Sequence, residues 1–321
     1  MRAIVSEQYG RPDILQLKEV DKPTPKEGEV LVKVHAASVN AYDWHLLTAD
    51  IFLVRMMGGG LLKPKFSIPG ADVAGIVESV GSDVEQFRPG DEVYGEISHG
   101  SFAEYVAGSV KGLAPKPANL TFEEAAAVPM AAVTALQGLR DEGHIQAGQK
   151  VLIQGASGGV GTFAVQIAKS FGAEVTAVCS TRNLDQARAL GADQVIDYTK
   201  EDFTQNGQQY NLILAANGFH PLSAYKRALA PGGIYVMAGG KPAQIFQAML
   251  LGPLMSSGGK KMGGVSATMK NQDLMSIKEL LETGKIMPVI DRCYPLGEAA
   301  EALRYLGEGH ARGKVVISVA S

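Results

Sequence analysis

The chain has 321 residues, of which 46% are apolar and 20% charged, with a formal net charge of −3. That length suggests two cores rather than one, and the composition is that of an ordinary soluble enzyme, with no electrostatic case for a nucleic-acid partner. Two cysteines, Cys179 and Cys293, exclude a four-cysteine zinc cluster and a disulfide framework, and their scarcity suits a reducing compartment.

The opening "MRAIVSEQYGRPDILQL" alternates and carries charge early. It lacks the apolar core of a signal peptide and the Arg/Ser bias of a transit peptide, so a cytoplasmic protein is expected. From Met1 to about Pro117, short strand patterns ("EVLVKVHAAS", "ADVAGIVESVG", "DEVYG", "FAEYVAG") are separated by Gly, Pro and Asp, which predicts a β-rich module. Within it, "SVNAYDWH" (Ser38 to His45) follows an alternating segment with Val30, Val32 and Val34 on one face. It crowds Asn40, Asp43 and His45 together, and by residue type a metal site, a hydrolytic relay and a plain loop all remain open. The stretch "DIFLVRMMGGGLLKPKFSIPG" that follows, and "FQAMLLGPLMSSGG" further on, are apolar but broken by Gly, Pro or Arg. Both fall short of the ~18 residues a membrane span needs and read as walls of an apolar pocket or as a mobile lid.

From about Thr121 the texture changes to helices alternating with apolar strands, starting with the Ala-rich "TFEEAAAVPMAAVTALQGL". Six strands are predicted at "VLIQ" (151 to 154), "EVTAVC" (174 to 179), "QVID" (194 to 197), "NLILAA" (211 to 216), "IYVM" (234 to 237) and "KMGGVSA" (261 to 267). Most are nearly continuous apolar runs, as expected of parallel strands covered on both faces. With helical crossovers they make an α/β fold with a doubly wound parallel sheet of Rossmann type. The tail holds two more helices, near 272 to 283 and 297 to 307, and the strand "GKVVISV", and is expected to return to the first module.

"VLIQGASGGVGTFAVQIAK" puts a glycine cluster directly between a strand and the helix it feeds. Against Gly-x-Gly-x-x-Gly, Ala156, Gly158 and Gly161 take the key places, the first as alanine. The backbone of Ser157, Gly158, Gly159, Val160 and Gly161 is then the candidate cradle for a pyrophosphate, helped by free N–H groups and the helix dipole. About twenty residues on, an acid would hold the ribose 2′-hydroxyl of NAD, but here Ser180, Thr181 and Arg182 stand at the strand end. A guanidinium pairs with a 2′-phosphate and hydroxyls add donors, so NADPH is the expected cofactor.

At "SVNAYDWH" zinc is disfavoured, since Asn is a poor substitute for a thiolate and the remaining histidines are scattered without a cysteine partner. Gly-x-Ser-x-Gly is absent, which disfavours hydrolysis. What is left is a polar group able to hydrogen-bond a substrate oxygen beside a nicotinamide ring.

The segments "SVNAYDWH", "IPGADVAGIVESVGSDVEQFRPGDEVYG", "GSFAEYV" and "VLIQGASGGVGTFAVQIAKSFGAEV" together resemble the medium-chain dehydrogenase/reductase superfamily, in its zinc-independent quinone oxidoreductase branch. "STRN", "LGADQVIDYTKEDF" and "GPLMSSGGKKMG" are similar to the subgroup of chloroplast-envelope quinone oxidoreductase homologues and alkenal reductases. Where zinc alcohol dehydrogenases of the superfamily carry a ligand Cys this chain has Asn40, and where they carry a ligand His it has Ala71. The resemblance implies a β-rich GroES-like catalytic domain over 1–124 and 266–321 and a Rossmann domain over 125–265. It also implies homodimers paired through the last strand of the sheet, near "KMGGVSA". Tyr198 matches a position that contacts the adenosine 2′-phosphate, and Thr134 and Asn217 match positions near the nicotinamide half.

The expected reaction is hydride transfer from NADPH to a quinone or to the β-carbon of an α,β-unsaturated carbonyl, a small lipophilic substrate. Without a metal, donors must stabilise the developing oxyanion, and Asn40 is the candidate. Asp43 would orient Asn40 or His45, and His45 would deliver the proton; it matches the relay histidine of the zinc alcohol dehydrogenases, where quinone reductases often have Tyr. An NADPH-binding sensor or interaction protein and a carbonyl reductase that makes alcohols are the alternatives.

Overall fold

The computed structural model describes residues 1–50, 60, 63–240 and 242–319. Most of the apolar segment between Asp50 and Lys63 lies outside the described residues, so its expected role as pocket wall or lid has no structural counterpart. Two compact units make up the chain: Met1–Met130 with Met269–Glu282 and Pro288–Ser321, and Ala131–Thr268 with Thr283–Met287.

In the first unit, β1 (Arg2–Val5) and β2 (Gln16–Glu19) form a small antiparallel sheet. The long β3 (Glu29–Val39) leads into helix α1 (Ala41–Thr48), followed by β4 (Asp72–Val80), β5 (Glu92–Glu96), β6 (Tyr105–Ser109) and β7 (Leu113–Pro115). "AYDWH" is therefore helical, with Asn40 as its N-cap in extended backbone. Helix α2 (Phe122–Ala126) starts at Thr121, whose side chain accepts from the backbone N–H of Glu124, a hydroxyl cap on an otherwise orphaned donor. Helix α3 (Pro129–Gln137) opens on proline, which gives up no hydrogen bond at that position.

The second unit is built on β8 (Lys150–Gln154), α4 (Gly159–Ser170), β9 (Glu174–Cys179), α5 (Leu184–Ala189), β10 (Gln194–Asp197), β11 (Tyr210–Ala215), α6 (Leu222–Ala228), β12 (Leu229–Met237), α7 (Pro242–Met255) and β13 (Lys261–Gly264). All strand pairs are parallel, in the order β10-β9-β8-β11-β12-β13. The order reverses between β8 and β11, the switch point where open sheets of this kind bind ligands at the strands' carboxyl ends. Val151, Leu152, Ile153, Leu212, Ile213 and Leu214 are all sealed from solvent, which is why these strands read as apolar runs without alternation. Phe163, Ala164, Ile167 and Ala168 cover one face from α4.

The chain then returns to the first unit through α8 (Asn271–Glu282), β14 (Ile290–Pro295), α9 (Ala299–Gly307) and β15 (Lys314–Ser318). The Tyr94 hydroxyl donates to the Leu274 carbonyl at 2.7 Å, which ties α8 to β5. The larger sheet runs β14-β15-β3-β4-β5-β7, with β6 also on β3. Val30, Val32, Val73, Val77, Leu303, Val315 and Ile317 form its core. Because β15 lies antiparallel to β3 with Val315 opposite Val39, and β4 sets Asp72 opposite Ser38, three remote segments of sequence meet where β3 enters α1.

Candidate functional site

The register at that junction determines which side chains meet. Ser38 and Asn40 are two residues apart and share a face of the extended chain, Asp72 is the partner of Ser38, and Lys314 precedes the partner of Val39. One oxygen of Asp72, Oδ2, accepts from Ser38 Oγ at 2.8 Å and Asn40 Nδ2 at 2.9 Å, and lies 3.4 Å from Lys314 Nζ; the other accepts from the Met130 backbone N–H at 3.0 Å. Lys314 Nζ also donates to Asn40 Oδ1. Asp72 and Lys314 are 0% and 3% exposed, so the pair is fully desolvated, and buried charges persist only when paired and hydrogen-bonded. Sequence reasoning missed Ser38, Asp72 and Lys314. The signals were a lone acid inside the apolar run "GADVAGIV" and a lone lysine opening "KVVISV".

This network engages both ends of the Asn40 amide. Its second N–H reaches only the Ser38 carbonyl at 3.4 Å, a long contact, and is the donor it has left to offer. Asp43 sits one helical turn on and is buried; its Oδ2 accepts the Asn40 backbone N–H at 2.8 Å, while Oδ1 has no hydrogen-bond partner among the described residues. Burial pushes its carboxyl up to about 7, with the nearby Asp72 charge adding to the effect and the Asn40 N–H and Lys314 opposing it. Glu96 is also raised to about 7, by burial first and then by Asp72 and Asp43. Asp43 lines a small cavity of about 40 Å³ with Leu46, Leu47, Phe66, Ile68 and His99.

His45 does not join this group. Residues two apart on a helix do not face each other, and His45 Nδ1 is paired with Asp50 Oδ1 at 2.8 Å. Asp43 thus holds the backbone of Asn40 and leaves His45 to Asp50, a residue that sequence reasoning did not consider.

In the second unit the glycine turn closes tightly on its inner side and opens outward. Gly155 has φ +76°, and a Cβ on Gly161 would come within 2.1 Å of the Gly155 carbonyl oxygen. A Cβ on Gly158 would meet nothing nearer than 3.6 Å. Gly158 is the extended N-cap of α4, so the first N–H groups of a twelve-residue helix, from Gly159 through Gly161, border that open side. This arrangement fits a pyrophosphate. Ser157 Oγ accepts from Asn183 Nδ2 at 3.0 Å, and the same amide donates to Ser180 Oγ at 3.2 Å, which couples the turn to the end of β9. Thr181 and Arg182 are exposed just beyond, Tyr198 is 62% exposed after β10, Thr134 is half-buried on α3, and Asn217 is exposed, with Oδ1 accepting from the Gly218 N–H at 2.8 Å.

A doubly wound sheet with a glycine turn that fits a pyrophosphate, in one chain with a β-rich unit that carries a buried polar centre, is the arrangement of a dehydrogenase or reductase that uses a nicotinamide cofactor. The Alcohol dehydrogenase GroES-like domain model matches residues 26–118, and the Zinc-binding dehydrogenase model matches residues 190–317. The chain is 35% identical to the chloroplastic quinone-oxidoreductase QR1 of Triphysaria versicolor, over 99% of this chain and 98% of that protein. It is also 35% identical to the chloroplastic NADPH-dependent alkenal/one oxidoreductase of Arabidopsis thaliana, over 99% and 79%. Among solved structures, the quinone oxidoreductase from Coxiella burnetii superposes with a TM-score of 0.89 at 30% identity, covering 100% of this chain and 99% of that one. The chain belongs to the medium-chain dehydrogenase/reductase superfamily, in its quinone oxidoreductase branch.

The relatives correct one expectation. A cytoplasmic protein was expected from the pattern of the opening residues, whereas the plant relatives are named chloroplastic. Despite the name of the second family model, the described residues contain no group of three His, Cys, Asp or Glu side chains arranged to hold a metal ion.

Proposed function

We propose that this protein reduces quinones, or the carbon–carbon double bond of α,β-unsaturated carbonyls, with NADPH and without zinc at the reacting centre. The observation that carries the reading is the buried cluster of Asn40, Asp72 and Lys314. Where the zinc dehydrogenases of the superfamily place a ligand cysteine there is an amide, and the cation beside it is an ammonium group. The relatives named for quinone and alkenal/one reduction support the substrate class.

NADPH supplies the hydride. As negative charge grows on the acceptor's oxygen, the second N–H of Asn40, only weakly engaged at the Ser38 carbonyl, is the donor left to meet it. Lys314, donating to Oδ1, withdraws density from the amide and strengthens this donor. Asp72 holds the other N–H and fixes the amide plane. Asp43, with a carboxyl raised to about 7 and an oxygen that has no hydrogen-bond partner among the described residues, is suited to hold and release the proton; it takes the role that His45 had by sequence, because His45 is engaged with Asp50. Ser157 to Gly161 would cradle the pyrophosphate, Ser180, Thr181, Arg182 and Tyr198 would surround the adenosine ribose, and Thr134 and Asn217 would approach the nicotinamide half. Two copies pair through β13, which among the described residues is the edge strand of its sheet, with the exposed Leu250 and Leu254 of α7 covered in the pair.

The test is anaerobic loss of the nicotinamide absorbance with a panel of quinones, enals and enones, run with NADPH and NADH on protein of measured zinc content, with products identified by NMR. Saturated carbonyls or hydroquinones from zinc-free protein are expected. Turnover that depends on zinc, allylic alcohol as the product, or no consumption with any acceptor would each end the proposal.

A further inference from the structure

The adenosine end of the second unit contains a carboxylate that the missing acid of β9 concealed. In dinucleotide-binding sheets the acid that selects a ribose hydroxyl stands at the end of the strand after the first helix. Here that strand is β9, its last residue is Cys179, and Ser180 follows. The neighbouring strand β10 runs parallel to it, with Asp197 directly in register with Cys179. Asp197 thus reaches the same place from one strand over.

Its contacts bear on what the site can bind. Thr181 Oγ1 donates to Asp197 Oδ2 at 2.5 Å, Thr199 Oγ1 donates to Oδ1 at 2.7 Å, and the Thr199 backbone N–H donates to Oδ1 at 3.0 Å. The two threonine hydroxyls lie 3.2 Å apart. A hydroxyl has one proton, and both of these are drawn to the carboxylate, so the outward sides of Thr181 and Thr199 present lone pairs. Lone pairs accept from a ribose hydroxyl and repel a phosphate oxygen. Donation from the Thr181 hydroxyl and then from Thr199 also holds Asp197 ionised, its carboxyl drawn down to about 2. Lys200 Nζ lies 3.6 Å from Asp197 Oδ2. Arg182, Lys200 and the Tyr198 ring invite a phosphate; Asp197 and the two hydroxyls it orients invite a hydroxyl.

We infer that Asp197 sets the balance between a 2′-phosphate and a 2′-hydroxyl at this site, by its own charge and by orienting Thr181 and Thr199, so that the protein accepts NADH alongside NADPH. The inference rests on dinucleotide binding at the glycine turn and adds to it a specificity-determining residue. Asp197→Asn removes the charge while keeping the shape, and replaces one of the two acceptor oxygens by a donor, which frees one threonine proton to turn outward.

Equilibrium binding tests this without turnover: titration of NADPH, NADH, 2′,5′-ADP and 5′-AMP against the full chain by calorimetry or nicotinamide fluorescence. The unaltered protein is expected to bind both dinucleotides. Asp197→Asn is expected to raise the ratio of NADPH to NADH affinity about tenfold, the effect of removing one like charge within a few ångströms, and to raise the ratio of 2′,5′-ADP to 5′-AMP in parallel. A ratio within twofold of the original for both pairs overturns the inference. Failure of the unaltered protein to bind any of the four ligands would instead remove the reading of the glycine turn. Should Asp197→Asn not fold, Thr181→Val decides: it deletes one acceptor at constant charge and is expected to weaken NADH severalfold with NADPH little changed, and equal effects on both would overturn the inference.

Discussion

Replacing Lys314 by Met tests the centre of the first unit most directly. The apolar stem is conserved in length, the ammonium is lost, and the Asp72 carboxylate is left buried. Because neither partner is more than 3% exposed, the solvent screening that makes surface pairs nearly worthless does not apply. Breaking a buried pair from one side typically costs about 3–5 kcal/mol. The Nζ–Oδ2 separation of 3.4 Å is longer than a charge-assisted bond, and Ser38 Oγ, Asn40 Nδ2 and the Met130 N–H remain as donors to Asp72. These place the loss at the low end, about 3 kcal/mol. The same substitution orphans Asn40 Oδ1 and lowers kcat more than it raises KM. Urea unfolding of Lys314→Met, Asp72→Asn and the double variant reads the coupling. The double variant is expected to recover at least half of the loss, because the uncompensated charge goes with its partner. A cost below about 1 kcal/mol for Lys314→Met, or strict additivity of the two changes, would refute the assignment of a coupled buried pair.

Gly161→Ala places a methyl 2.1 Å from the Gly155 carbonyl, and the overpacking should cost about 1–3 kcal/mol and weaken NADPH binding by more than tenfold; calorimetric titration checks it, and unchanged affinity would mean that the turn does not hold the pyrophosphate. Since the folded carboxyl of Asp43 is raised to about 7, the native state binds a proton that the unfolded chain has already released between the ordinary carboxylate range and that value. Stability therefore falls as pH rises through the window from about 4 to about 7. Glu96 contributes with the same sign, so Asp43→Asn should reduce the slope of unfolding free energy against pH without abolishing it, whereas an unchanged slope would contradict the shift. Leu250→Asp with Leu254→Asp puts charge on side chains 68% and 80% exposed on α7, and light scattering should show half the mass of the unaltered protein; a mass that does not change counts against pairing through β13 and α7.

The parts of this molecule that were legible in the sequence are those fixed by neighbours in the chain. The glycine turn announced itself because the strand, the turn and the α4 face lie within about twenty residues and each obeys its own periodicity. The cluster around Asp72 left no such trace, since the Lys314 contact to Asn40 spans 274 positions and exists only through the registers of β15 and β4 on β3. Asp197 was visible as a letter in "QVID", yet its relevance depends on a parallel pairing that puts it beside Cys179. In "NAYDWH" the ambiguity was intrinsic. An Asn followed three residues later by an acid is also the signature of a helix start, and the Asp43 carboxylate does accept the Asn40 N–H. The same residue therefore serves the helix terminus and faces the cavity.

That double duty bears on how the charges balance. Around the β3–α1 junction the buried Asp43, Asp72 and Lys314 and the half-buried Glu96 set, among the described residues, three acids against one base. If all three acids were ionised, Lys314 could balance only one of them, at a cost of several kcal/mol. The raised values of Asp43 and Glu96 are the response: Lys314 is committed to Asp72, so the other two carboxyls balance their burial by keeping protons. A centre built this way is close to neutral, and it stores two protons within reach of neutral pH. Burial above all, with the Asp72 charge adding to it, is the reason that Asp43 has a proton to give.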